Sequence, residues 1–274
     1  KNALKYMLIS TLAFTFLNAA VKYLKVFTPY QLVFFRSFGS LVFTIPYLLK
    51  NNISMVGNKQ KILILRGIVG VTSMLFFFMS IQYLPLGSAV SLRYLAPFFA
   101  ALFAWLILKE RIKSIQWVFF LMAFVGVLIM KGFNSQIDIT GLICILISAI
   151  FSGLVYVLIR KIGTHDHPVV VVHYYMIIAT LVGGVLSIVN WRTPQNFEWV
   201  LLLSLGLFGY IGQVYMTKAF QGAQTNIVAP LKYLEVIFTM LVGIVWFEDL
   251  YNFWSLLGIL LIITGLILNM KSKN

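Results

Sequence analysis

Leu92-Arg93-Tyr94-Leu95 and Leu231-Lys232-Tyr233-Leu234 are nearly the same tetrapeptide, 139 positions apart, and each carries a basic residue inside a long apolar run. The relation extends outward at the same offset of 139: Phe99 pairs with Phe238, Leu102 with Leu241, Gly126 with Gly265 and Pro29 with Pro168, while Ile9-Ser10 pairs with Ile147-Ser148 at 138. Chance supplies apolar matches easily in a chain this hydrophobic, but it less readily aligns Arg/Lys-Tyr, Gly and Pro. The 274 residues therefore read as two copies of one unit, residues 1–133 and 140–274.

Composition says where those units reside. Hydrophobic residues make up 61% of the chain and charged ones 10%, against about 25% charged in an ordinary soluble domain. A soluble fold would leave far too much apolar surface in water. A membrane-crossing helix needs roughly 20 apolar residues, and ten runs qualify: Leu4–Leu24, Tyr30–Leu49, Ile62–Tyr83, Leu86–Leu108, Ile115–Met130, Gly141–Ile159, Val169–Val189, Trp199–Phe220, Thr225–Phe247 and Phe253–Met270. The runs are continuous rather than alternating, and lipid leaves an open strand edge unsatisfied, so strands are excluded. The expected fold is an all-α membrane protein of ten transmembrane helices. Five spans per half is an odd number, so the second half enters the membrane upside down. Two inverted five-helix repeats are a transporter arrangement, with the substrate site near the midplane between halves.

The net charge of +14 would suggest nucleic-acid binding in a soluble protein. Here the positive-inside rule accounts for it. With the N-terminus inside, 14 Lys and Arg fall on the inner side, Lys59, Lys61, Arg66, Lys109 and Arg111 among them, and 4 on the outer: Lys22, Lys25, Lys131 and Arg192. Both termini are expected in the cytoplasm of a multi-pass cell-membrane protein whose partners are the bilayer and a small-molecule substrate, not nucleic acid. The basic, apolar N-terminus reads as a first span rather than a signal peptide. Cys144, the single cysteine, lies in an apolar run and reads as a packing residue.

Several motifs carry a family resemblance: Tyr83-Leu84-Pro85-Leu86-Gly87-Ser88-Ala89, Pro97-Phe98-Phe99-Ala100-Ala101-Leu102, Leu108-Lys109-Glu110-Arg111 and Gly126-Val127. The second half repeats them weakly as Ala229-Pro230-Leu231, Leu234-Glu235 and Phe247-Glu248-Asp249-Leu250. In these the chain resembles the drug/metabolite transporter superfamily, in its EamA-type ten-helix branch. Two positions depart from that pattern: Lys109 stands where the family usually has Gly, and Val236 where it has Pro, which removes one expected kink from the ninth span. The resemblance implies a central cavity lined by helices of both halves and used by alternating access.

Arg93 and Lys232 are the sharpest candidate site residues. A basic side chain at a helix centre costs about 2.5–3.5 kcal/mol even on insertion scales. Arg93 lies about 12 Å into its span at 1.5 Å per residue, too deep for easy snorkelling. A paired cationic clamp for an anionic group is set against a structural ion pair. Glu235 is the one acid in any predicted span, three residues after Lys232 on the same helix face. It either neutralises Lys232 or carries a coupling proton, so coupling to a proton or counter-substrate stays open. Arg36, inside the second span, reads as a cavity residue or a headgroup anchor. His173 reads as an interface residue before a proton relay. Tyr94, Tyr233, Asn18 and Gln213 are expected to line the cavity. Pro97 and Pro230 are expected to kink their spans at Arg93 and just before Lys232. Small residues at Ala96, Ala100 and Ala104, and at Gly206, Gly209 and Gly212, are expected to let helices approach closely.

No phosphate-binding Gly-rich loop, His-Glu-x-x-His or ligand cluster appears in the sequence, so no metal or cofactor is implied. The reading is a secondary active transporter, not an enzyme, for an anionic or zwitterionic metabolite such as a carboxylate or amino acid. Its alternatives are a proton-coupled exporter of cationic drugs, using Glu235, and a membrane enzyme acting on a lipid-linked substrate.

Overall fold

A computed structural model describes residues 2–84, 86–110, 113–132, 138–248 and 252–272. In chain order the helices are α1 (Asn2–Tyr23), α2 (Pro29–Lys50), α3 (Gln60–Tyr83), α4 (Leu86–Arg93), α5 (Ala96–Leu108), α6 (Ser114–Gly132), α7 (Ile139–Ile162), α8 (Pro168–Ser187), α9 (Glu198–Gly222), α10 (Thr225–Val228), α11 (Leu234–Phe247) and α12 (Phe253–Lys271). A 3₁₀ turn over Ala229–Tyr233 joins α10 to α11. Among the described residues there is no strand.

Local chemistry sets the helix boundaries. Thr28 Oγ1 accepts from Gln31 N–H at 3.3 Å, and Pro29, which has no N–H to leave unsatisfied, opens α2. His167 and Pro168 start α8 the same way, the His167 ring nitrogen accepting from Val169 N–H at 3.3 Å. Asp138 caps α7 by accepting from Thr140 N–H at 2.7 Å and Gly141 N–H at 3.2 Å. The Gly141 amide, helped by Thr140, outweighs desolvation and holds the Asp138 carboxyl below its ordinary range. At the far ends, Lys109 closes α5 and Glu248 follows α11 in the left-handed region, at φ 55° and 52°.

Among the described residues, six helices are long and apolar enough to cross a membrane, and the remaining apolar helices are shorter. Leu121, Leu181, Val185 and Leu203 are exposed on helices whose opposite faces are buried, a surface that suits lipid and not water. Packing is pairwise: α6 on α12, α1 on α9, α3 on α7, α2 on both α8 and α9, and α5 on α7. Where α2 crosses α9, a Cβ on Gly206 would lie 2.6 Å from Gly39 Cα, so only glycine permits the crossing. Ser40 donates to Gly206 O there at 2.8 Å. Ala96, Ala100 and Ala104 are all buried; a Cβ on Gly153 of α7 would sit 2.7 Å from Ala100 N.

Three expectations need correction. The fourth span is not one helix: it breaks between α4 and α5 at Tyr94 and Leu95. The ninth is broken too, by the 3₁₀ turn that starts just before Pro230, although Val236 removes a proline further along. Arg66 does not belong to the inner loops. It sits on α3 and is 1% exposed, because the turn between Lys61 and Arg66 is apolar and carries the guanidinium inward.

Candidate functional site

The two helix breaks position the site. A proline offers no N–H to the turn before it; Pro97 occupies the first turn of α5, and α4 stops at Arg93. Lys232 lies within the 3₁₀ turn of the other broken span. Both side chains line one central cavity with about 520 Å³ of empty space, part of it open to the outside, whose walls come from α1, α2, α3, α7, α8 and α9 as well. A smaller cavity of about 270 Å³ shares Arg93, Tyr156 and Lys232 with it, and adds Tyr94, Pro97 and Glu235.

The charges are unevenly matched. Lys232 Nζ donates to Glu235 Oε2 at 2.5 Å, with both side chains buried, and Asn18 Nδ2 donates to Glu235 Oε1 at 2.9 Å. Lys232 also lies 4.2 Å from the Phe14 ring centre. Arg93 lies over Phe77 at 4.0 Å. Arg66 stacks on Tyr175 at 4.1 Å and donates to Gln213 Oε1 at 2.8 Å. Arg36 donates to the Met74 sulfur, which also accepts from Tyr175 O–H at 3.1 Å. Arg36 Nε and Arg66 Nε and Nη1 are buried without a hydrogen-bond partner among the described residues. Aromatic faces, an amide and a thioether thus hold these cations in place without neutralising them. Among the described residues, four basic side chains line these cavities with one acid.

Of the residues read from sequence, Arg93, Lys232, Arg36, Gln213 and Asn18 line the larger cavity, and Tyr94 and Glu235 the smaller. The side chains of Tyr233 and Pro230 lie outside the described residues. His173 faces Thr44 Oγ1 at 3.1 Å between α8 and α2, and lines neither cavity. Sequence reasoning missed Arg66, Met74 and Tyr175. Arg66 had a usable signal: Gly70 follows it by four residues, clearing helix surface for its guanidinium, and a Cβ there would stand 3.2 Å from Arg66 Nη1. Gly209 does the same for Arg36, whose Nε would lie 3.2 Å from a Cβ at that position.

A strongly basic polar cavity, enclosed by helices long enough to cross a bilayer, defines a membrane transport protein. The chain belongs to the EamA-like transporter family, whose sequence profile matches it twice, over residues 1–131 and 139–271. It is similar to the pseudopaline exporter CntI of Pseudomonas aeruginosa, at 29% identity over 100% of this chain and 97% of that protein. Human solute carrier family 35 member G1 is 26% identical, over 95% of this chain and 76% of its own length. A solved crystal structure superposes with a TM-score of 0.76 at 17% identity, covering 98% of this chain and 99% of the other, which shows a common fold. The protein is a multi-pass membrane transporter and not an enzyme.

Proposed function

We propose that this protein is a secondary active transporter that moves a small anionic or zwitterionic metabolite, a carboxylate or amino acid, by alternating access between two inverted five-helix halves. The observation that carries the substrate class is the charge balance: Arg36, Arg66, Arg93 and Lys232 line the central cavity, and Glu235 is the one acid on its continuation. Burying an ion costs several kcal/mol. A site that holds this excess of cations in low dielectric attracts an anion and repels a cation.

Internal symmetry supports the alternating-access part. Fourteen of the eighteen cavity-lining residues fall into pairs at the repeat offset: Phe14 with Ser152, Leu17 with Val155 and Asn18 with Tyr156 at 138; Arg36 with Tyr175, Met74 with Gln213, Phe77 with Met216 and Arg93 with Lys232 at 139. The packing of α1 on α9 has its counterpart in α7 on α3, and that of α5 on α7 in α11 on α1. The family profile matching once in each half agrees with this division. Inverted halves around a shared site are what a rocking transporter needs.

Removing the buried Arg66 from the inner set leaves 13 basic residues inside against 4 outside, which keeps both termini cytoplasmic. The similarity to an exporter favours outward transport. The test is thermal stabilisation of the purified protein by carboxylates, amino acids, nucleotides and cationic dyes. Stabilisation by carboxylates or amino acids is expected. Stabilisation by the dyes alone sinks the anion reading in favour of cation export through Glu235, an acid that Lys232 and Asn18 already occupy.

A further inference from the structure

The cavity is nearly symmetric in position and strongly asymmetric in charge. Arg93 is matched by Lys232, but Arg36 is matched by Tyr175, and Arg66, at the same offset of 139, by Leu205. The second half therefore supplies an aromatic ring, and at Gln213 an amide, where the first half supplies guanidinium groups. This divides the basic residues into two ends. Arg93 and Lys232 line both cavities and share theirs with Glu235, while Arg36 and Arg66 line only the larger one; Glu235 acts on Arg36 through space, and its hydrogen bonds go to Lys232 and Asn18.

The chemistry of the two ends differs accordingly. At the Arg93–Lys232 end two cations meet one resident carboxylate, a net charge of one. At the Arg36–Arg66 end neither guanidinium has an ion-pair partner among the described residues. Tyr175 and Met74 tie that end together: Arg66 stacks on the Tyr175 ring at 4.1 Å, the Tyr175 hydroxyl donates to Met74 sulfur at 3.1 Å, and the same sulfur accepts from Arg36. Arg36 Nε and Arg66 Nε and Nη1, all buried, have no partner among the described residues. Guanidinium N–H donors recognise carboxylate oxygens in a fixed fork geometry, and a buried guanidinium with idle donors is costly unless an anion completes it.

We propose that Arg36 and Arg66 form a second anion subsite, so that the substrate is a di- or polycarboxylate spanning the cavity, one carboxylate on Arg36 and Arg66 and another on Arg93 and Lys232. This deepens the anion reading of the central cavity and rests on it. A monocarboxylate fills one end and leaves the other pair of cations uncompensated.

The experiment measures binding of butyrate, succinate and tricarballylate to the purified full-length protein at constant ionic strength. A second charge-assisted contact is worth about tenfold or more in affinity. Succinate and tricarballylate should each bind at least about tenfold more tightly than butyrate. Arg66→Gln should weaken succinate binding more than butyrate binding, so that the succinate-to-butyrate ratio falls toward one; Arg66→Lys should restore part of that ratio. The wild-type ratio decides the matter even where a variant fails to fold. Equal binding of butyrate and succinate, or a ratio unchanged in folded Arg66→Gln, overturns the two-ended site and leaves the anion reading standing. Binding of cationic dyes with none of the three carboxylates overturns both.

Discussion

Ser10 and Ser148 make the same hydrogen bond in the two halves: Ser10 Oγ donates to Gly212 O and Ser148 Oγ to Ser73 O, each at 2.8 Å. Their acceptors are themselves 139 residues apart. One bond fastens α1 to α9 and the other α7 to α3, so a single interhelical contact is written twice. All four residues involved are buried. Each is worth about 1 kcal/mol. Ser10→Ala and Ser148→Ala should lower thermal stability by similar amounts, and the double variant by nearly their sum, since the sites do not touch. A loss confined to one variant would break the equivalence.

The α2–α9 crossing brings two helix backbones into direct contact. A methyl group on Gly206 would meet Gly39 backbone carbon at 2.6 Å, and backbone cannot swing aside as a side chain does. Gly206→Ala should destabilise by about 1–3 kcal/mol, the range for overpacking. Gly222, at the end of the same helix, has nothing within 4 Å of its Cβ position. Gly222→Ala is therefore the control, neutral or slightly stabilising in the same unfolding assay.

Lys109 carries a backbone conformation that suits glycine, at φ 55°, where the related family pattern has Gly. An L-residue in that region pays about 1–2 kcal/mol, partly offset by the freedom glycine has when unfolded. Lys109→Gly should raise stability by about 0.5–1 kcal/mol, and Lys109→Val should lower it, because a β-branched residue tolerates this region least. The reverse order in a thermal melt sinks the assignment.

The topology is tested directly. With both termini inside, a reporter active only in the cytoplasm gives signal when fused at Asn274. Silence there, with signal from an extracytoplasmic reporter, overturns the orientation.

How much of this was legible beforehand follows the chemistry. Hydropathy marked the six helices that are long and apolar enough to cross a membrane, because lipid demands long apolar runs, but not the breaks that divide the fourth and ninth runs. Arg93 and Lys232 stood out because each interrupts such a run near its middle. Arg66 did not: five residues beyond Lys61, it looks like part of the basic inner border, and only the packing of Gly70 and Tyr175 shows that it turns inward. Met74 and Tyr175 were invisible for a different reason. Both are ordinary core residues by type, and their role comes from what crosses over them. The uneven charge of the two halves was likewise hidden, since the repeat was read from matching residues and Arg36 and Tyr175 do not match.

Glu235 gives the sharpest test of the charge argument. It is the resident anion of a cationic site, bound by Lys232 at 2.5 Å and Asn18 at 2.9 Å. Arg93 and Tyr156 share its cavity. Glu235→Gln keeps an acceptor for Asn18 and removes one negative charge, so Lys232 is freed for substrate. A unit charge 8 Å away at an effective dielectric of 20 is worth about 2 kcal/mol. Anion affinity should therefore rise by about tenfold or more in Glu235→Gln. Arg93→Gln, which removes a cation at similar length, should lower it by a similar factor. Transport assays then separate the two roles of the acid. If Glu235 carries a coupling proton, Glu235→Gln exchanges substrate but loses pH-driven accumulation; if it only neutralises Lys232, accumulation persists. Normal anion transport by Arg93→Gln, together with loss of cationic-dye uptake in Glu235→Gln, would reverse the assignment and make the carboxylate the substrate site.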